Sequence, residues 1–66
     1  MNTWLKSLRI DKKYTQQYVA QKANITKQYY SYIERGKRRP SPEVAKRIAN
    51  TLGFSSTWYL LLEAVK

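Results

Sequence analysis

Residues 16–35 read QQYVAQKANITKQYYSYIER, and the punctuation of this stretch decides the fold. Thr15, just ahead of it, is a good N-cap, with Tyr14 at N′ and Val19 at N4 in hydrophobic-staple spacing. Val19, Ala20 and Ala23 then lie on one face, which predicts a helix over 16–23. Thr26 repeats the arrangement, with Ile25 at N′ and Tyr30 at N4, and predicts a helix over 27–35. Gly36 stands at C′, where a left-handed residue ends a helix. Only residues 24–26 separate the two helix bodies. A connection that tight forces the helices to cross steeply, as in a helix-turn-helix.

Outward from this pair, a helix over 3–12 carries Trp4, Leu5 and Leu8 on its apolar side. Lys12 and Lys13 stand at its C-terminal end, where cations suit the helix dipole. Ser41 caps a helix over 42–52, Pro42 fits N1, and Glu43 suits the positive end of the dipole. Val44, Ile48 and Leu52 recur every four residues along it, and Gly53 closes it. A last helix over 56–65, capped by Ser55 or Ser56, carries Trp58, Tyr59, Leu60, Leu61, Leu62 and Val65. The chain has two Gly and two Pro and no useful period-two alternation, which argues against a β fold. The expectation is an all-α domain of five helices spanning residues 1–66, without linker or internal repeat.

Composition narrows the function. The 66 residues hold 13 Lys and Arg against 4 Asp and Glu, a net charge of 13 − 4 = +9. With no Cys and no His, the usual transition-metal ligands are absent, as are Ser-His and Cys-His catalysis. The acids Asp11, Glu34, Glu43 and Glu63 are scattered among more numerous cations, so no enzyme, metal or cofactor is expected. The positive balance points to a polyanion, nucleic acid first and an anionic membrane surface second. No apolar run of about 18 residues exists, and no basic region followed by an apolar core opens the chain. A cytoplasmic, nucleoid-associated protein is the expectation.

Counted from Gln16, the quoted segment resembles the twenty-residue motif of the Xre or lambda-repressor-like family. Ala20 stands where that family places a small residue, and Val19, Ala23, Ile25 and Ile33 stand at its core positions. The continuation ERGKRRPSPEVAKRIANTLGF resembles the family's Glu-x-Gly, basic stretch, Pro and helix ending in Leu-Gly. The five-helix plan matches too, so the resemblance covers nearly the whole chain. Two positions depart from it. Asn24 replaces the usual turn Gly, and Asn tolerates the left-handed conformation. Tyr30 replaces the usual Val or Ile, and its hydroxyl needs a partner or water.

The resemblance implies that the third helix enters the major groove while the second rests across the backbone. Lys27, Gln28 and Ser31 would then meet base edges, with Tyr32 one turn further along. Gln binds adenine N6 and N7 in bidentate fashion, and Lys donates to guanine O6 and N7. The alternative for Gln28 is a solvated polar face, and for Lys27 a phosphate contact alone. Gln16, at the start of the second helix, is implied as a phosphate contact. Tyr29, on the exposed side of the third helix by its spacing from Lys27 and Tyr32, packs on a thymine methyl or donates its hydroxyl to the phosphate backbone in this reading; the alternative is a cover for neighbouring side chains. Lys37, Arg38 and Arg39 lie in the loop that meets the DNA backbone in the family. Lys22, Lys46 and Arg47 read as ordinary surface cations. The family commonly pairs an Arg of the first helix with the Glu that Glu34 matches, which implies an Arg9–Glu34 ion pair.

The last helix carries more apolar area than one face buries. Tyr59 and Leu62, with Leu60, fit the core, while Trp58, Leu61 and Val65 line another side. That side is read as a homodimer interface that would set two recognition helices about 34 Å apart. The alternative is that the stripe is core against Trp4 and Phe54. Together these implications describe a sequence-specific double-stranded DNA-binding transcriptional regulator, a repressor at a palindromic operator. Antitoxins and restriction–modification controllers share the pattern. A basic module for RNA, membrane or protein is the rival class. The last helix, with Lys66 its only cation, is too weakly basic to lie on a membrane surface.

Overall fold

Three hydroxyl side chains start three helices of the chain, whose computed structural model describes residues 3–63. Thr15 Oγ1 accepts from the Tyr18 N–H at 3.0 Å and opens α2 (Gln16–Lys22). Thr26 Oγ1 accepts from the Tyr29 N–H at 3.0 Å and opens α3 (Lys27–Glu34). Ser41 Oγ accepts from the Val44 N–H at 3.2 Å and opens α4 (Pro42–Leu52), with Pro42 at the first position. Each such cap is worth about 1 kcal/mol. Ahead of them runs α1 (Thr3–Asp11).

The helix ends also follow one device. Lys13, Asn24, Gly36 and Gly53 all have positive φ, from 60° to 87°. The residue after each closes a bond back to the previous helix: Tyr14 N to Arg9 O at 3.1 Å, Ile25 N to Ala20 O at 3.0 Å, Lys37 N to Tyr32 O at 2.8 Å and Phe54 N to Ala49 O at 2.9 Å. This is the Schellman closure, which satisfies otherwise orphaned carbonyls. Asn24 takes the left-handed turn that the sequence requires there, and Lys13 does so without any composition signal.

The core joins all the helices. Leu5 of α1, Val19 and Ala20 of α2, Ala23 just after it, Tyr30 and Ile33 of α3, and Ala45, Ile48 and Leu52 of α4 are buried together. The small side chains of Ala20 and Ala45 let the helix backbones approach closely where larger ones would hold them apart. Trp4 and Phe54 close one end edge to face, with ring centroids 5.4 Å apart. No strand occurs among the described residues.

The C-terminal segment departs from expectation. In place of one helix from 56, a 3₁₀ turn covers Ser55–Thr57 and α5 covers Leu60–Glu63. The Phe54 carbonyl accepts from both Thr57 N at 2.9 Å and Thr57 Oγ1 at 3.2 Å, which tightens the chain into that turn. Starting α5 later changes which side chains face inward. Leu61, expected at a dimer interface, is fully buried in the core. Tyr59 and Leu60, expected inside, are 47% and 42% exposed. Trp58 packs partly buried against the core, as does Leu62. Val65, the third expected interface residue, lies outside the described residues.

Candidate nucleic-acid interface

The buried end of α3 is fixed by charge. Arg9 Nε donates to Glu34 Oε2 at 2.7 Å and Arg9 Nη2 to Glu34 Oε1 at 3.2 Å, a bidentate pair. The two side chains are 11% and 4% exposed. Arg9 Nη1 also donates to the Tyr14 carbonyl at 2.9 Å, and Gln16 Nε2 donates to Glu34 Oε1 at 3.0 Å. Burial by itself pushes the Glu34 carboxyl up. The hydrogen bonds from Arg9 and Gln16, with the Tyr30 hydroxyl close by, outweigh it, and the carboxyl is held below its ordinary value. The Arg9 guanidinium is raised in turn by its bond to Glu34. Tyr30 lies fully buried beside this pair, its hydroxyl without a well-formed hydrogen bond. Burial, and then the neighbouring Glu34, push that hydroxyl far up, so it stays protonated.

With its inner face so anchored, α3 turns its other face outward. Lys27 and Gln28 are exposed, and Ser31 and Tyr32 are half-buried. Gln28 Nε2 donates to the Tyr32 hydroxyl at 3.1 Å across one turn. These four residues share a single groove with Gln16 and Arg35. Sequence reasoning passed over Arg35. Its spacing held the signal, four residues past Ser31 and three past Tyr32 on the same helix face. Arg35 Nη2 donates to Ser31 Oγ at 3.2 Å, and its guanidinium stands over the Tyr32 ring at 5.2 Å.

A second groove shares Gln28 and Tyr32 with the first and is further lined by Thr26, Tyr29 and Arg38. Here Tyr29 has a mixed place. Its ring packs half-buried on the core, its hydroxyl donates to the Arg39 carbonyl at 3.4 Å, and Arg38 lies 5.5 Å from its centroid. It thereby ties the loop of Lys37, Arg38 and Arg39 to α3. The same loop is held at its start, where Lys37 N and Arg38 N both donate to the Tyr32 carbonyl, at 2.8 and 3.3 Å. All three loop cations are exposed.

The cations expected to be ordinary surface residues lie elsewhere. Arg47 pairs with Glu43 at 2.6 Å, Lys22 lies over the Tyr18 ring, and Lys46 lies over Trp58 at 4.8 Å. Both grooves are lined by hydrogen-bond donors and cations and by no carboxylate. Among the described residues no group of three or more Asp, Glu, His or Cys is placed to hold a metal ion. No helix among them is long and apolar enough to cross a membrane. Such a surface accepts a polyanion and offers amide, hydroxyl and ammonium donors to it.

The helix-turn-helix family model matches residues 5–59, from the first core leucine to the start of the C-terminal helix. The chain belongs to the Xre and lambda-repressor-like helix-turn-helix family. This helix-turn-helix protein is similar to an uncharacterized HTH-type transcriptional regulator, YqaF, of Bacillus subtilis strain 168. The two are 45% identical over 65 residues, covering 98% of this chain and 83% of the relative. No solved structure matches the helix-turn-helix chain. Membership places it among DNA-binding regulators of transcription.

Proposed function

We propose that the protein is a sequence-specific duplex-DNA-binding repressor that acts as a homodimer at a palindromic operator. The observation that carries this reading is the groove on α3. Gln16, Lys27, Gln28, Ser31, Tyr32 and Arg35 converge on it, a mixture of base-reading and phosphate-binding side chains with no acid among them. The similarity to a transcriptional regulator supports the same direction. In this reading Lys27, Gln28, Ser31 and Tyr32 meet base edges in the major groove, while Gln16, Tyr29, Lys37, Arg38 and Arg39 hold the backbone. Arg35 joins the backbone set. Repression follows from occluding polymerase and needs no catalytic residue or cofactor. The working location is the cytoplasm, on the nucleoid.

The dimer in this reading pairs through the C-terminal end, where Tyr59 and Leu60 are exposed beside the half-buried Trp58. Selection of bound sites from a random duplex library at near-physiological salt tests the whole proposal. Two inverted half-sites about 34 Å apart support both recognition and pairing. A single half-site keeps recognition and removes the dimer. Salt-sensitive binding without any enriched sequence rejects a specific regulator.

A further inference from the structure

The bond between Gln28 and Tyr32 has a direction. Gln28 Nε2 is the donor and the Tyr32 hydroxyl oxygen is the acceptor, at 3.1 Å. One carboxamide proton is thereby committed within the protein. What remains on Gln28 is its oxygen and its second N–H, an acceptor and a donor side by side. That pair complements the major-groove edge of adenine, which offers a donor at N6 and an acceptor at N7. An unrestrained glutamine turns its terminal amide through a broad, nearly two-fold torsion and presents either order. The hydroxyl restricts that choice. Tyr32 is itself held, because Arg35 stands 5.2 Å from its ring centroid while bonded to Ser31 at 3.2 Å.

We infer that Tyr32 is a positioning residue: it sets the Gln28 carboxamide as an adenine reader, so that each half-site carries an A·T pair under Gln28. The inference rests on the DNA-reading function proposed above and adds the base that the site selects. At the base pair under Gln28, Tyr32 acts through Gln28 and Arg35 through Tyr32, in addition to any contact each makes with DNA elsewhere.

Four proteins decide it: wild type, Tyr32→Phe, Gln28→Ala and the double variant. Each is bound to the selected operator and to versions in which one base pair at a time is replaced. The pair whose preference Gln28→Ala erases lies under Gln28. Wild type is expected to favour A·T there by about tenfold. Tyr32→Phe keeps the ring and the Arg35 contact, so its melting curve should match wild type. It should nevertheless lose most of that tenfold preference and add nothing to the loss at that base pair in the Gln28→Ala background. Full retention of the preference by Tyr32→Phe, losses that multiply in the double variant, or a G·C preference under Gln28 would each overturn the inference. A wild type without base preference at any position would overturn the DNA-reading function beneath it as well.

Discussion

Gln16 Nε2 donates to Glu34 Oε1 at 3.0 Å, so the first residue of α2 and the last residue of α3 share one buried carboxylate. Arg9 of α1 approaches the same carboxylate at 2.7 Å. Three helices therefore meet on a single acid, and one of its three donors, Gln16, also borders the exposed groove. The fold and the interface are joined there by hydrogen bonds as well as by packing. The consequences of disturbing that acid are the most direct to measure.

Replacing Glu34 with Ala leaves the Arg9 guanidinium nearly buried with no carboxylate and takes the acceptor from Gln16. Breaking a buried pair from one side costs about 3–5 kcal/mol, a large share of what so small a domain has. Glu34→Ala should unfold at much lower urea concentration than wild type, and the fraction still folded should keep its base preference. A variant that melts like wild type but selects different sites would reject the structural role.

Acid should act on the same group. The Glu34 carboxyl is held below its ordinary value in the folded chain, so ionisation of Glu34 favours folding. That contribution is fully present above the unfolded carboxyl range of about 4.3 and is lost as pH falls through the folded value. Melting temperature measured from neutral pH down to pH ~2 should fall steeply on the acid side. In Glu34→Gln the starting stability should be lower and the acid-side fall shallower. Parallel curves for the two proteins would place the acid sensitivity elsewhere.

Lys13 ends α1 with φ at 60°, a conformation that costs a side chain about 1 kcal/mol and glycine almost nothing. Lys13→Gly should therefore raise stability by about 1 kcal/mol, or about 4–8 °C in melting temperature for a domain of this size. Asn24, at the same φ, should gain less from Gly, because Asn tolerates the left-handed region better than Lys. Equal or reversed effects in calorimetry would contradict this ranking.

DNA affinity should fall with salt. If about six phosphates are neutralised, log K against log salt has a slope near −5. Arg38 lies over Tyr29 in a loop anchored to α3, and the proposed function assigns it one phosphate. Arg38→Ala should reduce the slope by about 1 and weaken binding uniformly across sequences. Sequence-dependent losses measured by titration would make Arg38 a base reader instead.

Some of these features were legible without coordinates because they are local. A hydroxyl three residues ahead of a free backbone N–H, as at Thr15, Thr26 and Ser41, caps a helix whatever surrounds it. Asn24 is among the few residue types that accept a left-handed turn, so its conformation was readable too. Lys13 carries no such mark. Its turn is imposed by the reversal that brings Tyr14 N onto Arg9 O. The C-terminal run misled for a related reason. Seven apolar or aromatic residues within eight, Trp58 to Val65, give no contrast between faces, so a start shifted by a few residues exchanges the inner and outer sets. Leu61 moved inside and Tyr59 and Leu60 moved outside for that reason alone.

The sequence by itself determined an all-helical chain, the tight link between α2 and α3, the family it belongs to and the basic character of its surface. These depend on periodicity, caps, turn residues and net charge, each of which acts over a few residues or sums over all of them. Only the tertiary structure decided that Gln16 reaches Glu34, that Arg35 holds Tyr32, that Tyr29 is half core and half loop anchor, and that Leu61 is interior. Side-chain direction decides these, and it depends on where a helix starts, how it is rotated and what packs against it. A composition or a spacing does not contain that information until the helices have docked.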